Sequence, residues 1–145
     1  GVFSEYSPQI SHTNKTVPIV FLANIHPALQ LSIIEQMEGN PLIITDTMNL
    51  WIETTKNELL DVLNKTNILL INEGEAELLS GTNDIEKSAG KLQELGPKTV
   101  VIKKGSSGAI LFSGGEKISI GVYPVRKVID TTGAGDAFVV VLFQH

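Results

Sequence analysis

"NILLINEGEAELLSGTNDIEKSAGKLQELGPKTVVIK" (67–103) is the stretch whose reading decides the fold. It opens on NILLIN (67–72), an apolar run of the length of a buried strand. EGEAELLSG follows as a short helix that Gly81 ends, and NDIEKSAGKLQELG (83–96) as a second helix, which begins on a capping residue and ends in glycine. KTVVIK (98–103) is another short apolar run, rich in β-branched residues, and reads as a strand. Strands that alternate with helices imply a mainly parallel sheet covered on both faces.

The same rhythm continues outward. VPIVFLAN (17–24) and PLIITD (41–46) read as strands. Between them HPALQLSIIEQMEG (26–39) reads as a helix, with Pro27 in its first turn and Gly39 as its stop. TMNLWIETTKNELLDVLNK (47–65) has helical spacing in Leu50, Ile52, Leu59, Leu60 and Leu63, and is expected as one helix. Downstream the pattern changes. GAILFS (108–113), EKISIGV (116–122) and YPVRKV (123–128) are strands divided by short turns such as Ser113-Gly114-Gly115, the pattern of an antiparallel edge. A last helix is expected from Gly133. The expectation is one α/β domain over residues 1–145.

Composition agrees with a packed domain: 42% of the 145 residues are hydrophobic and 19% charged. A net charge of −5 disfavours nucleic acid or a membrane surface as partner, since both call for clustered Lys and Arg. There is no cysteine, so disulfides and thiolate metal sites are excluded, which fits a reducing cytoplasm. No leader peptide is read at GVFSEYSPQI, and no run nears the ~20 apolar residues of a membrane span.

Parallel sheets bind ligands outside the carboxyl ends of their strands. Asn24, Asp46 with Asn49, Asn72, and Lys103 with Gly105 fall at such ends, and Asp130 precedes the last helix. There "DTTGAGDAF" (130–138) carries the clearest chemistry. N–H groups at a helix start lack intrahelical partners and carry the positive end of the dipole. Gly133, Ala134 and Gly135 are small enough to let a phosphate approach them. Asp136 would face the same spot, where a carboxylate can accept a proton from a hydroxyl. An Asp that only complements the helix dipole is the plain alternative. Asn72 and Glu75, three apart at a strand end, can hold water around Mg²⁺ or can simply be a helix start with acidic residues in its first turn. Gly105 and Gly108 allow close backbone approach, or make an ordinary turn. His26 lies near the site edge but precedes Pro27, a structural position, and Trp51 reads as core.

The 130–138 run resembles the C-terminal signature of the ribokinase-like (PfkB) family of carbohydrate and nucleoside kinases, an Asp-Thr-x-Gly-Ala-Gly-Asp-x-Phe pattern. NEGEAELLSG resembles the family's N-x-x-E element through Asn72 and Glu75, and VVIKKGSSGAILF its strand–Gly-x-x-Gly–strand element. The resemblance implies a three-layer α/β/α fold and ATP-dependent phosphoryl transfer to a hydroxyl of a sugar or nucleoside. It makes Asp136 the catalytic base and Gly133, Ala134 and Gly135 the anion hole. Lys103, Gly105, Gly108, Asn72 and Thr131 would bind nucleotide. Asn72 and Glu75 would serve Mg²⁺, and Asp130 a potassium ion in cation-activated members. Family members are longer, with an N-terminal half and a lid that grip the acceptor, and Val139, Val140 and Val141 replace the small residues usual in the signature helix. An incomplete sheet exposes edges, so self-association into a homo-oligomer is expected. Two other readings stand beside the kinase: a non-catalytic nucleotide-binding module, and a Rossmann dinucleotide-binding protein, against which Phe138 at the third glycine position argues.

Overall fold

Among the described residues six strands make one sheet in simple chain order, β1 to β6. The computed structural model describes residues 18–121, apart from Asn24 and the side chain of Leu50. β1 (Ile19–Leu22), β2 (Leu42–Asp46), β3 (Ile68–Asn72) and β4 (Thr99–Lys103) run parallel. β5 (Ala109–Ser113) and β6 (Glu116–Ile120) extend the sheet antiparallel, as a hairpin turned at Gly114 and Gly115. Five helices connect the parallel part: α1 (Pro27–Gln36), α2 (Asn49–Thr54), α3 (Lys56–Asn64), α4 (Glu73–Ser80) and α5 (Ile85–Glu94).

β3 and β4 are central, and this explains why their sequences are continuously apolar. Leu69, Leu70 and Ile71 on β3, and Val100, Val101 and Ile102 on β4, are all buried, although neighbours along a strand point to opposite faces. One face packs Leu69, Ile71, Val100 and Ile102 against Ile52, Leu59, Leu63, Ala76, Leu79, Ala89 and Leu92 of the helices. Beside it, Ile34 of α1 and Val62 of α3 close over Leu22 and Ile43. The opposite face carries a separate cluster of strand residues, Ile44, Leu70, Val101 and Ala109.

Two expected elements differ. The helix read over 47–65 is two helices, α2 and α3, divided at Thr55 (φ −134°, ψ 45°). Thr55 Oγ1 donates to the Trp51 carbonyl at 3.1 Å, a local bond that competes with helix continuation. Thr54 and Thr55 are also β-branched and add little helix propensity. α1 stops at Met37 rather than Gly39: Met37 is extended, with its N–H bonded to the Ile34 carbonyl, and Gly39 instead takes the left-handed turn (φ +77°) that leads to Pro41. The strand read at 123–128 and the helix expected from Gly133 lie outside the described residues.

Candidate functional site at the carboxyl edge of the sheet

The parallel run of β2, β3 and β4 brings their last residues, Asp46, Asn72 and Lys103, to one edge. Register sets them on one face as well: Asn72 stands opposite Lys103, and Asp46 opposite Leu70, two residues before Asn72. Lys103 crosses the end of β3 to reach Asp46, with Nζ 3.4 Å from Oδ1. The same carboxylate oxygen accepts the Thr47 N–H at 2.9 Å. Both partners of the ion pair are largely shielded from water, so their attraction is screened less than at an open surface.

Asn72 and Glu75 are held by each other. Asn72 Oδ1 accepts the Glu75 N–H at 2.7 Å, and Glu75 Oε1 accepts the Asn72 N–H at 3.1 Å. This reciprocal capping box starts α4 directly at the end of β3. The helix-start reading of the pair is therefore realised. It also fixes the Glu75 carboxyl at the sheet edge, where Glu75 is buried. Burial pushes the Glu75 carboxyl above its ordinary range. The Asn72 N–H, the Lys103 charge and the Asn49 N–H oppose that rise, while the Asp46 charge adds to it.

Among the described residues no three acidic or histidine side chains gather as a metal cluster. Mg²⁺ does not need one, because it retains waters and is commonly held by one or two carboxylates beside substrate phosphates. The buried Glu75 carboxyl, the Asp46 carboxylate and the Asn72 amide are an oxygen donor set that fits this requirement.

Beyond β4 the chain makes a single 3₁₀ turn, Gly105–Ser107, closed by Lys104 N–H to Gly108 O at 2.7 Å. Its two glycines do different things. At Gly105 (φ +60°) a Cβ would meet nothing within 4 Å among the described residues, so on their side it is open to an approaching group. At Gly108 (φ +94°) a Cβ would collide with the Ile120 carbonyl oxygen on β6, so the close approach there is made by the protein's own hairpin.

His26 caps α1, its Nδ1 accepting the Ala28 N–H at 3.0 Å, and its ring lies 5.1 Å from that of Trp51 at a 58° tilt. The structural reading of His26 is the one observed. Trp51 is half-buried against it rather than fully in the core. Asn49 is exposed, and its backbone N–H, rather than its side chain, reaches Glu75. Asn24, Asp130, Thr131, Gly133, Ala134, Gly135 and Asp136 lie outside the described residues. Gln30 and Thr47, both buried at this edge, were missed from sequence. A glutamine beside Leu29 on the inward side of α1 was the available signal.

The family model for pfkB family carbohydrate kinases matches residues 30–144, and the chain belongs to that family. It is 43% identical to a ribokinase of Arabidopsis thaliana over 88 residues, which are 57% of this chain and 22% of that protein. It is 28% identical to a nucleoside kinase of Methanocaldococcus jannaschii over 135 residues, 93% of this chain and 44% of that protein. The solved structure of Arabidopsis thaliana ribokinase complexed with ribose and ATP superposes with a TM-score of 0.69 at 31% identity, covering 92% of this chain and 46% of the other. The chain thus spans less than half the length of these relatives. The α/β ribokinase-like fold expected from the sequence is the one observed. No helix among the described residues is long and apolar enough to cross a membrane.

Proposed function

We propose that this chain carries the phosphate and metal side of an ATP-dependent kinase that phosphorylates a hydroxyl of a sugar or nucleoside. The observation that supports this reading most is the meeting of Asp46, Asn72, Glu75 and Lys103 at the carboxyl edge, next to the open turn at Gly105. Ribose and ATP are the ligands of the solved Arabidopsis relative.

In this reading the triphosphate lies across the ends of β3 and β4. Lys103 exchanges its contact with Asp46 for a phosphate oxygen, which leaves the Asp46 carboxylate to face the metal. Glu75, pinned by the Asn72 N–H, presents its carboxylate to metal-bound water. Mg²⁺, when bound, would neutralise charge on the transferring phosphoryl group. Asp136 accepts the proton of the acceptor hydroxyl, and the N–H groups of Gly133, Ala134 and Gly135 receive the developing charge. Thr131 and Gly108 line the nucleotide, and Asp130 serves a potassium ion. Catalysis takes place in the cytoplasm. Two copies of the chain associate, and a monodisperse monomer in solution scattering would count against that.

The test mixes the protein with Mg-ATP and a panel of sugars and nucleosides and reads phosphorylated products by mass spectrometry. A product that disappears with Asp136→Asn supports the reading. ATP bound without any product supports a non-catalytic nucleotide-binding module instead.

A further inference from the structure

Gln30 is the most unusual side chain at this edge. It sits one turn into α1 and is only 1% exposed, in a position where an apolar residue would ordinarily pack. A buried amide is tolerated when its hydrogens are bonded. Both hydrogens of Gln30 are used on main-chain carbonyls: Nε2 donates to Ala23 O at 2.8 Å and to Asp46 O at 3.2 Å. Ala23 follows the last residue of β1, and Asp46 is the last residue of β2. One side chain therefore ties together the exits of two adjacent strands.

The arrangement also leaves polar atoms stranded. With the nitrogen turned towards two carbonyls, Gln30 Oε1 is buried with no hydrogen-bond partner among the described residues, and so is Thr47 Oγ1, in the residue next to Asp46. An apolar residue at position 30 would avoid the first penalty. The retained amide points to a task at the 46–47 peptide, because orphaned buried polar atoms are rare and ask for a reason.

We propose that Gln30 is a positioning residue for phosphoryl transfer: it clamps the 46–47 peptide so that the Asp46 carboxylate is aimed at Lys103 and the metal-phosphate site. The clamp acts on the same peptide whose N–H, from Thr47, binds Asp46 Oδ1, the atom that also receives Lys103. Main chain and carboxylate are thus fixed together. If the carbonyl is released, the peptide can rotate and the carboxylate turns with it. This inference rests on the reading of Asp46 and Lys103 given above.

The test is a double-mutant cycle of Gln30→Met and Asp46→Asn, read in kcat and in KM for ATP, together with crystal structures of the unsubstituted protein and Gln30→Met. Met retains the volume and removes both donors. The expected result is a rise of about 10-fold in the KM for ATP, since small misplacements of a site group are felt strongly. In the Asp46→Asn background the same substitution should change KM less than about 2-fold. The Asp46–Lys103 separation should open beyond the 3.4 Å now seen. A separation that stays at 3.4 Å, or an equal rise in KM in both backgrounds, would overturn the proposal. Gln30→Leu likewise removes both donors without adding a charge, and gives the same reading should the Met variant fail to fold. The crystallographic arm needs no turnover, so a failed clamp and a failed kinase assignment are told apart.

Discussion

Replacing Gly108 by Ala should damage the fold far more than replacing Gly105, although both glycines occupy the same short turn. Gly108 has φ +94° and ψ −138°, a region essentially reserved for glycine. Placing alanine there costs about 1–3 kcal/mol in backbone strain. The added Cβ would lie well inside contact distance of the Ile120 carbonyl oxygen, with the Ile120 carbonyl carbon at 3.2 Å and Gly121 Cα at 3.3 Å. These are backbone atoms of the hairpin partner, so they yield only if β6 moves away from β5. Overpacking of this kind costs about 1–3 kcal/mol more. The sum is about 4 kcal/mol. At Gly105 (φ +60°) none of the described residues stands within 4 Å, so the left-handed backbone alone contributes, about 1 kcal/mol. For a chain of this size the two should lower Tm by roughly 14 °C and roughly 4 °C. Thermal unfolding followed by circular dichroism measures both. Equal losses would refute the argument that Gly108 serves the protein's own hairpin. The ligand effects should run the other way, with Gly105→Ala weakening Mg-ATP binding by more than its small stability loss suggests.

Lys103→Met should weaken Mg-ATP by about 10- to 100-fold, the range of a lost hydrogen bond between charged groups, and titration calorimetry reads it directly. Glu75→Gln should stabilise the protein at pH 7 and give no gain at pH 3.5. Burial raises the native carboxyl above 4.5, so between 4.5 and that raised value the native state holds more protons than the unfolded chain, and stability falls as pH rises. Glutamine keeps the oxygen that accepts the Asn72 N–H but does not titrate, so urea midpoints at the two pH values should show the gain at neutral pH alone. The same variant should lose its response to Mg²⁺.

The parallel sheet was legible because its two central strands are buried on both sides. That condition demands uninterrupted apolar residues such as ILLI and VVI, which no loop or solvated helix supplies. The alternation with helices then implied that the strands run mainly parallel. The break at Thr55 was not legible, since Leu50, Ile52, Leu59, Leu60 and Leu63 keep a helical spacing across it and only a local hydroxyl bond divides the two helices. At the site, Asp46, Asn72 and Lys103 could be placed because each ends a strand. The contact that joins Asp46 to Lys103 spans 57 residues and passes over an intervening strand, and no local pattern encodes it. Gly105 and Gly108 look alike in sequence. They differ in backbone conformation, and because Ile120, contributed by another strand, lies over one and not the other. Gln30 shows the same limit: the residue is visible as a polar break in an apolar helix face, but its two acceptors come from the exits of two separate strands.

In the proposed kinase, nucleotide phosphates and their metal lie across the carboxyl edge of β2, β3 and β4. The most direct measurement is a titration of the isotopically labelled protein with Mg-ATP, followed by amide chemical shifts. The largest shifts should fall at Asp46, Asn72, Glu75 and residues 103–108, and the opposite end of the sheet, at Asn40, Lys65 and Asn67, should stay unmoved. Shifts concentrated at that opposite end, or none along the carboxyl edge at saturating nucleotide, would contradict it.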